Sequence, residues 1–346
     1  MRVADRREHP KTHKMTTPNS YRALVVRETS EGKFERNIEQ VSFDFLPKNE
    51  VLIQVKFAGL NYKDALSASG HKGVTRHFPH TPGVDAAGIV VSDSTGQWKP
   101  GQEVICTSHD LGMNTPGGFA EYISVPAEWI VALPEEIDLK TSMVLGTAAY
   151  TAGLALWKME RNGQSPEMGS IAVTGSTGGV GSMAIALLHK AGYNVLAVTG
   201  KPNQAAYLKS LGANEIIDRS EVDDQSGKPL LRPRWAGAID NVGGNTLATL
   251  LKGCGRNGNV AAIGLVGGSD LSSTVFPFIL NGVNLLGVDS AETPSAIRQE
   301  VWNRLASSWK LDLPEASSTL CSLEEVTERM DKLLNGNGLG RVVAVL

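Results

Sequence analysis

The sequence has few cysteines, and they are far apart. Cys106, Cys254 and Cys321 form no Cys-X-X-Cys pair and match no metal-ligand spacing. We therefore expect neither a disulfide framework nor a cysteine-bound metal, and reduced thiols are typical of a cytoplasmic protein. The chain also lacks an apolar run of the roughly 20 residues that a membrane-spanning helix needs, so no membrane association is expected.

An excess of basic charge is missing as well. Lysine and arginine number 33 against 36 aspartate and glutamate residues, which gives a net charge of −3 at pH 7. This balance argues against nucleic acid as a partner. A length of 346 residues, 41% of them hydrophobic and 20% charged, indicates a globular protein with room for two domains.

Apolar residues are scarce in the first 20 residues, which are rich in arginine, histidine and lysine. The segment has no hydrophobic stretch of the kind found in secretory signals, and its acids Asp5 and Glu8 are unusual for a transit peptide. We expect residues 1–20 to be a disordered or non-native extension that takes no part in the fold. Met15 is a candidate natural start.

The chain does contain a glycine-rich turn between an apolar strand and a helix. Residues 171–182 read IAVTGSTGGVGS, with a strand predicted over 171–174 and a helix from Ser182. Glycines let backbone approach a ligand, and a helix N-terminus presents unpaired N–H groups. With a second strand predicted over 194–198, the pattern favours a dinucleotide diphosphate site over an ordinary strand–helix turn. The candidate contacts are Ser176, at the usual first-glycine position, Thr177, Gly178, Gly179, Val180 and Gly181.

The end of the second strand bears on which nicotinamide cofactor binds. NAD sites usually place Asp or Glu there to hold the ribose 2′-hydroxyl. This chain has Thr199, Gly200 and Lys201 instead, with no acid before Glu215. A hydroxyl, a glycine and a cation suit a 2′-phosphate, whose charge an aspartate would repel. We therefore expect NADPH, held by residues 199–201; the alternative is that Lys201 is a solvated turn residue.

Two different patterns along the chain predict an α/β protein. Short strands and turns fill residues 21–145, whereas strands and helices alternate over 146–289. The second pattern predicts a doubly wound parallel sheet of the Rossmann type, with the cofactor at the carboxyl ends of its strands. A final strand near 341–345 should return to the β-rich part. We therefore expect one domain from 21–145 and 290–346, and a cofactor domain over 146–289.

Four short runs carry a resemblance to a known superfamily. They are GLNYKD at 59–64, PGVDAAG at 82–88, GQEV at 101–104 and GGFAEY at 117–122. With the two-domain plan, they resemble the medium-chain dehydrogenase/reductase superfamily over residues 21–346. The resemblance implies a GroES-like β-rich catalytic domain beside the Rossmann domain. Zinc-dependent members carry a Cys in the loop where this chain has residues 61–64, and Gly-His-Glu where it has residues 83–85, which implies the zinc-free branch and no metal site.

Longer runs resemble one subfamily, the NADPH-dependent acryloyl-CoA reductases. These runs span 188–193, 207–213, 235–240, 276–280 and 287–290. The resemblance implies an oxidoreductase acting on an acyl-CoA: acryloyl-CoA, NADPH and a proton yield propionyl-CoA and NADP⁺. A quinone or small-enal reductase is the first alternative, and a non-catalytic NADPH-binding regulatory protein is the second. Relatives pair sheet edges such as 283–288 across a two-fold axis, which implies a homodimer.

The resemblance also implies which residues react. Tyr62 lies in the loop that holds a zinc ligand in metal-dependent relatives, and it is the first catalytic candidate. Its phenol would donate a proton, orient a water or contact the nicotinamide ribose; a packing role is the alternative. Asn61 and Asp64 are expected to hold this loop. Arg76 is the candidate contact to a CoA phosphate, unless it is only part of a solvated basic loop. Further cofactor contacts implied are Val260, Gly264 and Asn337.

Overall fold

Two large β-sheets organise the part of the chain that the computed structural model describes, residues 18–346. Most of the extension predicted over 1–20 lies outside the described residues. The first strand begins at Ser20, one residue before the predicted domain boundary.

The first sheet comes mainly from the N-terminal part of the chain. Its region contains β1 (Ser20–Glu28), β2 (Phe34–Ser42), β3 (Val51–Leu60), β4 (Asp85–Asp93), β5 (Glu103–Thr107), β6 (Tyr122–Val125) and β7 (Ile130–Ala132). Strands β1 and β2 form a separate antiparallel hairpin, whereas β3, β4, β5 and β7 lie side by side and β6 also pairs with β3. In β3, Val51, Ile53 and Val55 are buried and alternate with partly exposed residues. This alternation is typical of a strand with one face on the core.

The C-terminal segment returns to this sheet. Strands β14 (Ser318–Ser322) and β15 (Arg341–Val345) extend it beyond β3. Strand β15 runs antiparallel to β3, with Val343 opposite Gly59. The prediction that the last strand rejoins the β-rich part is confirmed.

The second sheet is parallel throughout. It consists of β8 (Ile171–Val173), β9 (Val195–Thr199), β10 (Glu215–Asp218), β11 (Trp235–Asp240), β12 (Cys254–Ala262) and β13 (Asn284–Gly287). The strand order is β10-β9-β8-β11-β12-β13, and every neighbouring pair is parallel. The α/β class with a doubly wound parallel sheet is confirmed, and β13 is the edge strand that the sequence predicts. The carboxyl ends of β8, β9 and β10 lie side by side, where such folds bind nucleotides.

Helices connect the strands and cover the sheets. They are α1 (Tyr62–Ala68), α2 (Leu139–Arg161), α3 (Gly179–Lys190), α4 (Ala205–Ser210), α5 (Gly244–Lys252), α6 (Phe276–Asn281), α7 (Ser295–Ala306) and α8 (Val326–Leu334). Within residues 18–346, no helix combines the length and apolar character needed to cross a membrane.

Two helices begin earlier than the sequence pattern indicates. The small residues of 147–157 predict a helix that starts at Thr147. Helix α2 already starts at Leu139, because the Asp138 side chain caps it by accepting from the Thr141 N–H at 2.6 Å. It is interrupted at Gly146, whose φ is +50°. Helix α3 starts at Gly179 rather than Ser182, so its first turn lies inside the glycine run. The unpaired N–H groups of α3 are therefore presented by the turn itself.

One hydrophobic core joins the two sheets around α2. It combines Ala87 and Ile105 of the first sheet with Val173 of the second, together with Val343 of the returning strand. Trp302 of α7 packs into the same core and is fully buried. Because the sheets share this core, residues at their facing edges are held at defined positions relative to one another.

Candidate active site

The loop that opens α1 is fixed by a buried carboxylate. Asp64 accepts the Asn61 N–H at 2.7 Å and the Val84 N–H at 2.8 Å, which ties the GLNYKD run to the PGVDAAG run. Burial raises the pKa of Asp64 to about 7, although the two backbone N–H groups oppose the shift. Both carboxylate oxygens are thus occupied by backbone. Asp64 acts as a positioning residue for the loop that carries Tyr62.

A buried ion pair holds the Asn61 side chain in place. Arg341, the first residue of β15, lies 3.2 Å from the Asp85 carboxylate, and the side chains are 3% and 0% exposed. Asn61 bridges them: its Nδ2 donates to Asp85 at 2.7 Å, and its Oδ1 accepts from Arg341 at 3.0 Å. Arg341 also donates to the Leu60 carbonyl at 3.0 Å. Burial lowers the pKa of Arg341, and the nearby Asp85 charge opposes that shift.

The kink in α2 is part of the same network. Thr147 donates to Asp85 through its N–H at 2.9 Å and through its hydroxyl at 2.5 Å. The Thr147 hydroxyl is also 3.0 Å from that of Ser108. A Cβ at Gly146 would collide with both Asp85 and Arg341, and its positive φ disfavours other residues. The kink therefore requires glycine and turns the helix backbone toward Asp85.

The glycine-rich turn before α3 contacts this hydrogen-bond network through Gly179, the first residue of α3. A Cβ built at Gly179 would lie 3.5 Å from Nη1 of Arg341 and 3.7 Å from Cβ of Ala148. The start of α3 therefore lies against the Arg341 side chain that holds Asn61. The structure thus brings together the loop of Tyr62 and the predicted diphosphate turn, which are more than 100 residues apart in the chain.

The turn itself depends on the positions of its glycines. Gly175 is the residue of this turn with a positive φ, +60°. The Ser176 hydroxyl donates to the Val173 carbonyl at 2.7 Å. Gly178 is the N-cap of α3. A Cβ at Gly181 would overlap the Gly175 carbonyl, so this glycine permits the close contact of helix and turn. Thr177 is buried and Val180 is half-buried, packed on the core.

The residues at the ends of β8 and β11 lie beside this turn and are hydrogen-bonded to each other. Asp240 accepts the Thr174 hydroxyl at 2.6 Å and the Gly243 N–H at 2.8 Å. Asn241 donates through Nδ2 to the Thr174 carbonyl at 2.8 Å. Within the described residues, the buried Oδ1 of Asn241 has no hydrogen-bond partner. A buried acceptor without a donor is costly, and it marks a place where a bound group could donate.

The end of β9 lies next to the C-terminal segment. The Thr199 hydroxyl accepts the Lys201 N–H at 3.0 Å, which folds the turn after the strand. The Lys201 ammonium donates to the Gly336 carbonyl at 2.6 Å. Asn337 follows directly and is exposed. The structure therefore brings together the predicted 2′-phosphate contacts 199–201 and the predicted contact from the returning segment.

The remaining candidates are more dispersed. Tyr62 is the first residue of α1 and is 45% exposed, so its ring is free to meet a ligand. Val260 lies within β12 and its side chain is fully buried in the core, so a cofactor contact from this position stays a prediction. Gly264 lies against the backbone of Asn241, where a side chain would not fit. Arg76 is exposed on the loop between α1 and β4.

Arg298 is a second buried arginine, and the sequence analysis did not single it out. Arg298 donates to the carbonyls of Thr107 at 3.1 Å and of Ser290 at 3.0 Å, and its guanidinium lies 4.7 Å from the Tyr150 ring centroid. Burial, with a smaller contribution from the Arg298 charge, lowers the pKa of His109 to about 4. His109 is therefore neutral at pH 7. Arg298 joins the end of β5 to the loop after β13.

The sequence analysis also missed Arg341, Asp85 and Thr147 as parts of the site. A signal was present: Asp85 and Arg341 are charges placed directly at the start of apolar strand sequences. Charges in such positions are rarely buried unless they are paired. Which two charges pair, however, depends on the fold that places β15 beside β3.

Comparison with family models finds two matches that together cover much of the chain. Residues 47–135 match the alcohol dehydrogenase GroES-like domain, and residues 179–307 match the zinc-binding dehydrogenase model. In the described part of the chain, no group of three or more His, Cys, Asp or Glu side chains is arranged to hold a metal ion.

Curated relatives and solved structures are similar over nearly the whole chain. The acrylyl-CoA reductase AcuI of Ruegeria pomeroyi is 42% identical over 324 residues, 93% of this chain and 98% of that protein. YhfP of Bacillus subtilis, whose name gives it provisionally as a quinone oxidoreductase, is 45% identical over 311 residues, 90% of this chain and 94% of that protein.

Several of the similar solved structures contain a nicotinamide cofactor. The structure of YhfP with NAD bound has a TM-score of 0.92 at 43% identity, covering 95% of this chain and all 100% of that one. The yhdH oxidoreductase of Salmonella enterica, solved in complex with NADP, has a TM-score of 0.89 at 42% identity, covering 94% of this chain and 99% of that one.

The Asp85–Arg341 network yields a prediction about stability. Asp85→Asn preserves the shape of the side chain but leaves the buried guanidinium without its counter-charge. Removing one partner of a buried pair costs about 3–5 kcal/mol, so we expect the free energy of unfolding in urea to fall by that amount. Glu39→Gln is the control, because it breaks the exposed pair with Arg27 and should change stability by about 0–1 kcal/mol.

A double variant separates charge pairing from simple packing. Arg341→Met in the Asp85→Asn background removes both charges, so the combined loss should be clearly smaller than the sum of the two single losses. Additive losses in this cycle would mean that the two side chains do not stabilise each other.

Proposed function

Because the chain belongs to the medium-chain dehydrogenase/reductase family, we propose that it is an NADPH-dependent reductase of a short enoyl-CoA thioester, with acryloyl-CoA reduced to propionyl-CoA. The observation that carries the proposal is the meeting of the Tyr62 loop and the dinucleotide turn at Arg341. AcuI, similar over nearly its full length, supports the choice of substrate.

The residues present fit a dinucleotide. Among the described residues, a Cβ at Gly178 would approach only the Gly175 carbonyl, at 3.3 Å, so the backbone here is open to a ligand. The unpartnered Oδ1 of Asn241 would accept a hydrogen bond from a ribose hydroxyl. In the proposal, residues 176–181 hold the diphosphate and 199–201 hold the 2′-phosphate, with Gly264 and Asn337 alongside. When bound, NADPH would supply the hydride that reaches the β-carbon of the enoyl group.

The protein's own groups would then stabilise and orient the reacting thioester. Tyr62 is exposed at the first turn of α1, and its hydroxyl would donate to the thioester oxygen or deliver a proton to the α-carbon. Asn61, held by Asp85 and Arg341, keeps this turn in place. A hydrogen-bond donor held at a defined place lowers the barrier because little reorganisation is needed when charge develops.

The other parts of the proposal concern the CoA group of the substrate, the domain boundaries and the location of the protein in the cell. Arg76 is exposed near α1 and would contact a phosphate of CoA. Residues 21–145 with 290–346 would form the catalytic domain, and 146–289 the cofactor domain. We propose a cytoplasmic location, which the three free buried cysteines support.

A quinone reductase is the second candidate function. It is favoured by the name of YhfP, which is 45% identical to this chain. The same hydride chemistry would serve a quinone, but no CoA phosphate would then need Arg76.

We also propose that the protein forms a homodimer through the edge of its parallel sheet. Strand β13 is an open edge, and the neighbouring α6 segment exposes Val275 by 62%, Ile279 by 67% and Leu280 by 50%. Open strands and clustered apolar side chains favour association, and two copies of one edge can pair across a two-fold axis.

The activity is tested by following NADPH oxidation with four substrates in parallel. We expect the highest kcat/KM with acryloyl-CoA and a lower value with crotonyl-CoA. Free acrylate should be turned over only slowly, because it lacks both the thioester and the CoA group. Activity should survive exhaustive chelation. A benzoquinone used more efficiently than acryloyl-CoA would reject the proposal in favour of the second candidate.

Tyr62→Phe tests the proposed proton donor. The change removes only the hydroxyl, so we expect kcat to fall by about a hundredfold while the Kd for NADPH stays near its original value. Tyr122→Phe is the control, because that ring is buried away from the loop and packs against Tyr21. A Tyr62→Phe enzyme with nearly normal kcat would leave Tyr62 with a positioning role only.

The dimer is tested by light scattering at micromolar concentration. We expect twice the mass of one chain for the wild type and a single-chain mass for Ile279→Asp, because the carboxylate would be buried at the interface. Leu320→Asp is the control: Leu320 is also exposed, by 49%, but it lies on β14 in the other sheet. A monomeric wild type would contradict the proposal.

A further inference from the structure

The chain leaves β5 beside Asp85 in an unusual backbone conformation. Thr107, the last residue of β5, lies opposite Asp85 of β4. The next two residues, Ser108 and His109, have φ values of +65° and +51°. Among the described residues, Asn257 is the only other non-glycine residue with a positive φ. Asparagine and histidine adopt this conformation more often than most residues, so the serine is the one that needs an explanation.

Contacts on both sides hold this conformation in place. The Ser108 N–H donates to the Val84 carbonyl at 2.7 Å. The His109 ring stacks on Trp129, with 5.2 Å between the ring centroids. Strained residues persist only where their surroundings determine them, and they cluster at functional sites. Because glycine would adopt the same φ without strain, we expect the serine side chain to have a use here.

The Ser108 hydroxyl ends a chain of hydrogen bonds whose direction is fixed. The Thr147 hydroxyl lies 2.5 Å from Oδ1 of Asp85 and 3.0 Å from Oγ of Ser108. The Asp85 carboxylate, which is paired with Arg341, can only accept, so the single proton of the Thr147 hydroxyl is directed to it. The Thr147 oxygen therefore accepts from Ser108. Ser108 is the donor that fixes the Thr147 hydroxyl.

Asp85 extends this constraint to the loop that carries Tyr62. Its Oδ1 accepts from Thr147, and its Oδ2 accepts from Nδ2 of Asn61 at 2.7 Å. Asn61 directly precedes Tyr62, the first residue of α1. The orientation of the Asp85 carboxylate therefore determines where Asn61 lies. Three hydrogen bonds in sequence connect the Ser108 hydroxyl with Asn61.

We propose that Ser108 is a positioning residue for the reaction: its hydroxyl orients Thr147 and Asp85, and through them the loop of Tyr62. The strained backbone is retained because glycine lacks that hydroxyl. The inference rests on the proposed function, since it concerns the loop that would meet the thioester. Loss of this orientation slows the reaction more than it weakens binding, because the chemical step is sensitive to small displacements of the reacting groups.

Steady-state kinetics with NADPH and acryloyl-CoA test the role of the hydroxyl, which Ser108→Ala and Ser108→Gly both remove. We expect kcat to fall about tenfold in both variants, with the KM for acryloyl-CoA and the Kd for NADPH changed less than about twofold. Asn257→Gly is the matched control, because Asn257 also has a positive φ but is exposed in the first half of β12, and kcat should not change. A normal kcat in Ser108→Ala would overturn the inference.

Thermal unfolding of the same two variants tests the strain. Ser108→Gly should have a Tm about 2 °C above that of Ser108→Ala, because only alanine keeps a Cβ at this positive φ. The glycine variant should then be the more stable of the two but no more active. If kcat instead rose with Tm, the role of Ser108 would be structural only. Equal Tm values would reject the stored strain.

A double variant tests whether the two hydroxyls act as a unit. Thr147→Val removes the group that Ser108 orients. We expect Ser108→Ala to lower kcat in the wild type but not further in the Thr147→Val background. Losses that multiply would mean that Ser108 acts independently of Thr147, and the inference would be wrong.

The outcomes separate the inference from the proposed function. If the wild type prefers acryloyl-CoA and Ser108→Ala has a normal kcat, the role of Ser108 is rejected and the proposed function stands. If the wild type uses a benzoquinone more efficiently, the proposed substrate fails, and the same variants assayed with benzoquinone still test Ser108. Circular dichroism of each variant verifies that the fold is retained.

Discussion

The buried pair of Arg341 and Asp85 is the interaction on which the rest of the candidate site depends. Burying two charges is costly, and the cost is offset here because nearly every polar atom has a partner. Asp85 accepts from Asn61 and from Thr147, while Arg341 donates to Asn61 and to backbone carbonyls, including those of Leu60 and Val144. The pair thereby determines the position of the Tyr62 loop, the kink in α2 and the start of β15.

This network also links the two halves of the molecule. Arg341 enters from the last strand of the first sheet, and its side chain lies against Gly179 at the start of α3. Hydride transfer is sensitive to misplacement of about 1 Å, so a rigid connection between the Tyr62 loop and the glycine-rich turn would have direct consequences for the rate of the proposed reaction. Both sheets also share the hydrophobic core around α2. The cofactor and the substrate would therefore meet in a site that both sheets hold in place.

The two parts of the site use different chemistry. The proposed diphosphate site is made largely of backbone, where Gly175, Gly178 and Gly181 permit the turn and the close contact of α3. The proposed 2′-phosphate site at the end of β9 depends on side chains instead, with Thr199 and Lys201 as candidate contacts. Related proteins of similar identity have been solved with NAD and with NADP. Selectivity would therefore reside in a few residues at this strand end rather than in the fold.

Local sequence patterns were enough to predict the glycine turn and the alternating strands and helices of the parallel sheet, because each depends on spacing within a short segment. Whether a side chain in a predicted strand is buried is a different matter: only the structure shows that the Val260 side chain lies in the core. Only the tertiary structure decided that Asp85 pairs with Arg341, that Asn61 bridges them, and that Arg341 lies against Gly179. These contacts join segments far apart in the chain, and their partners are chosen by strand order and register, which no single segment encodes.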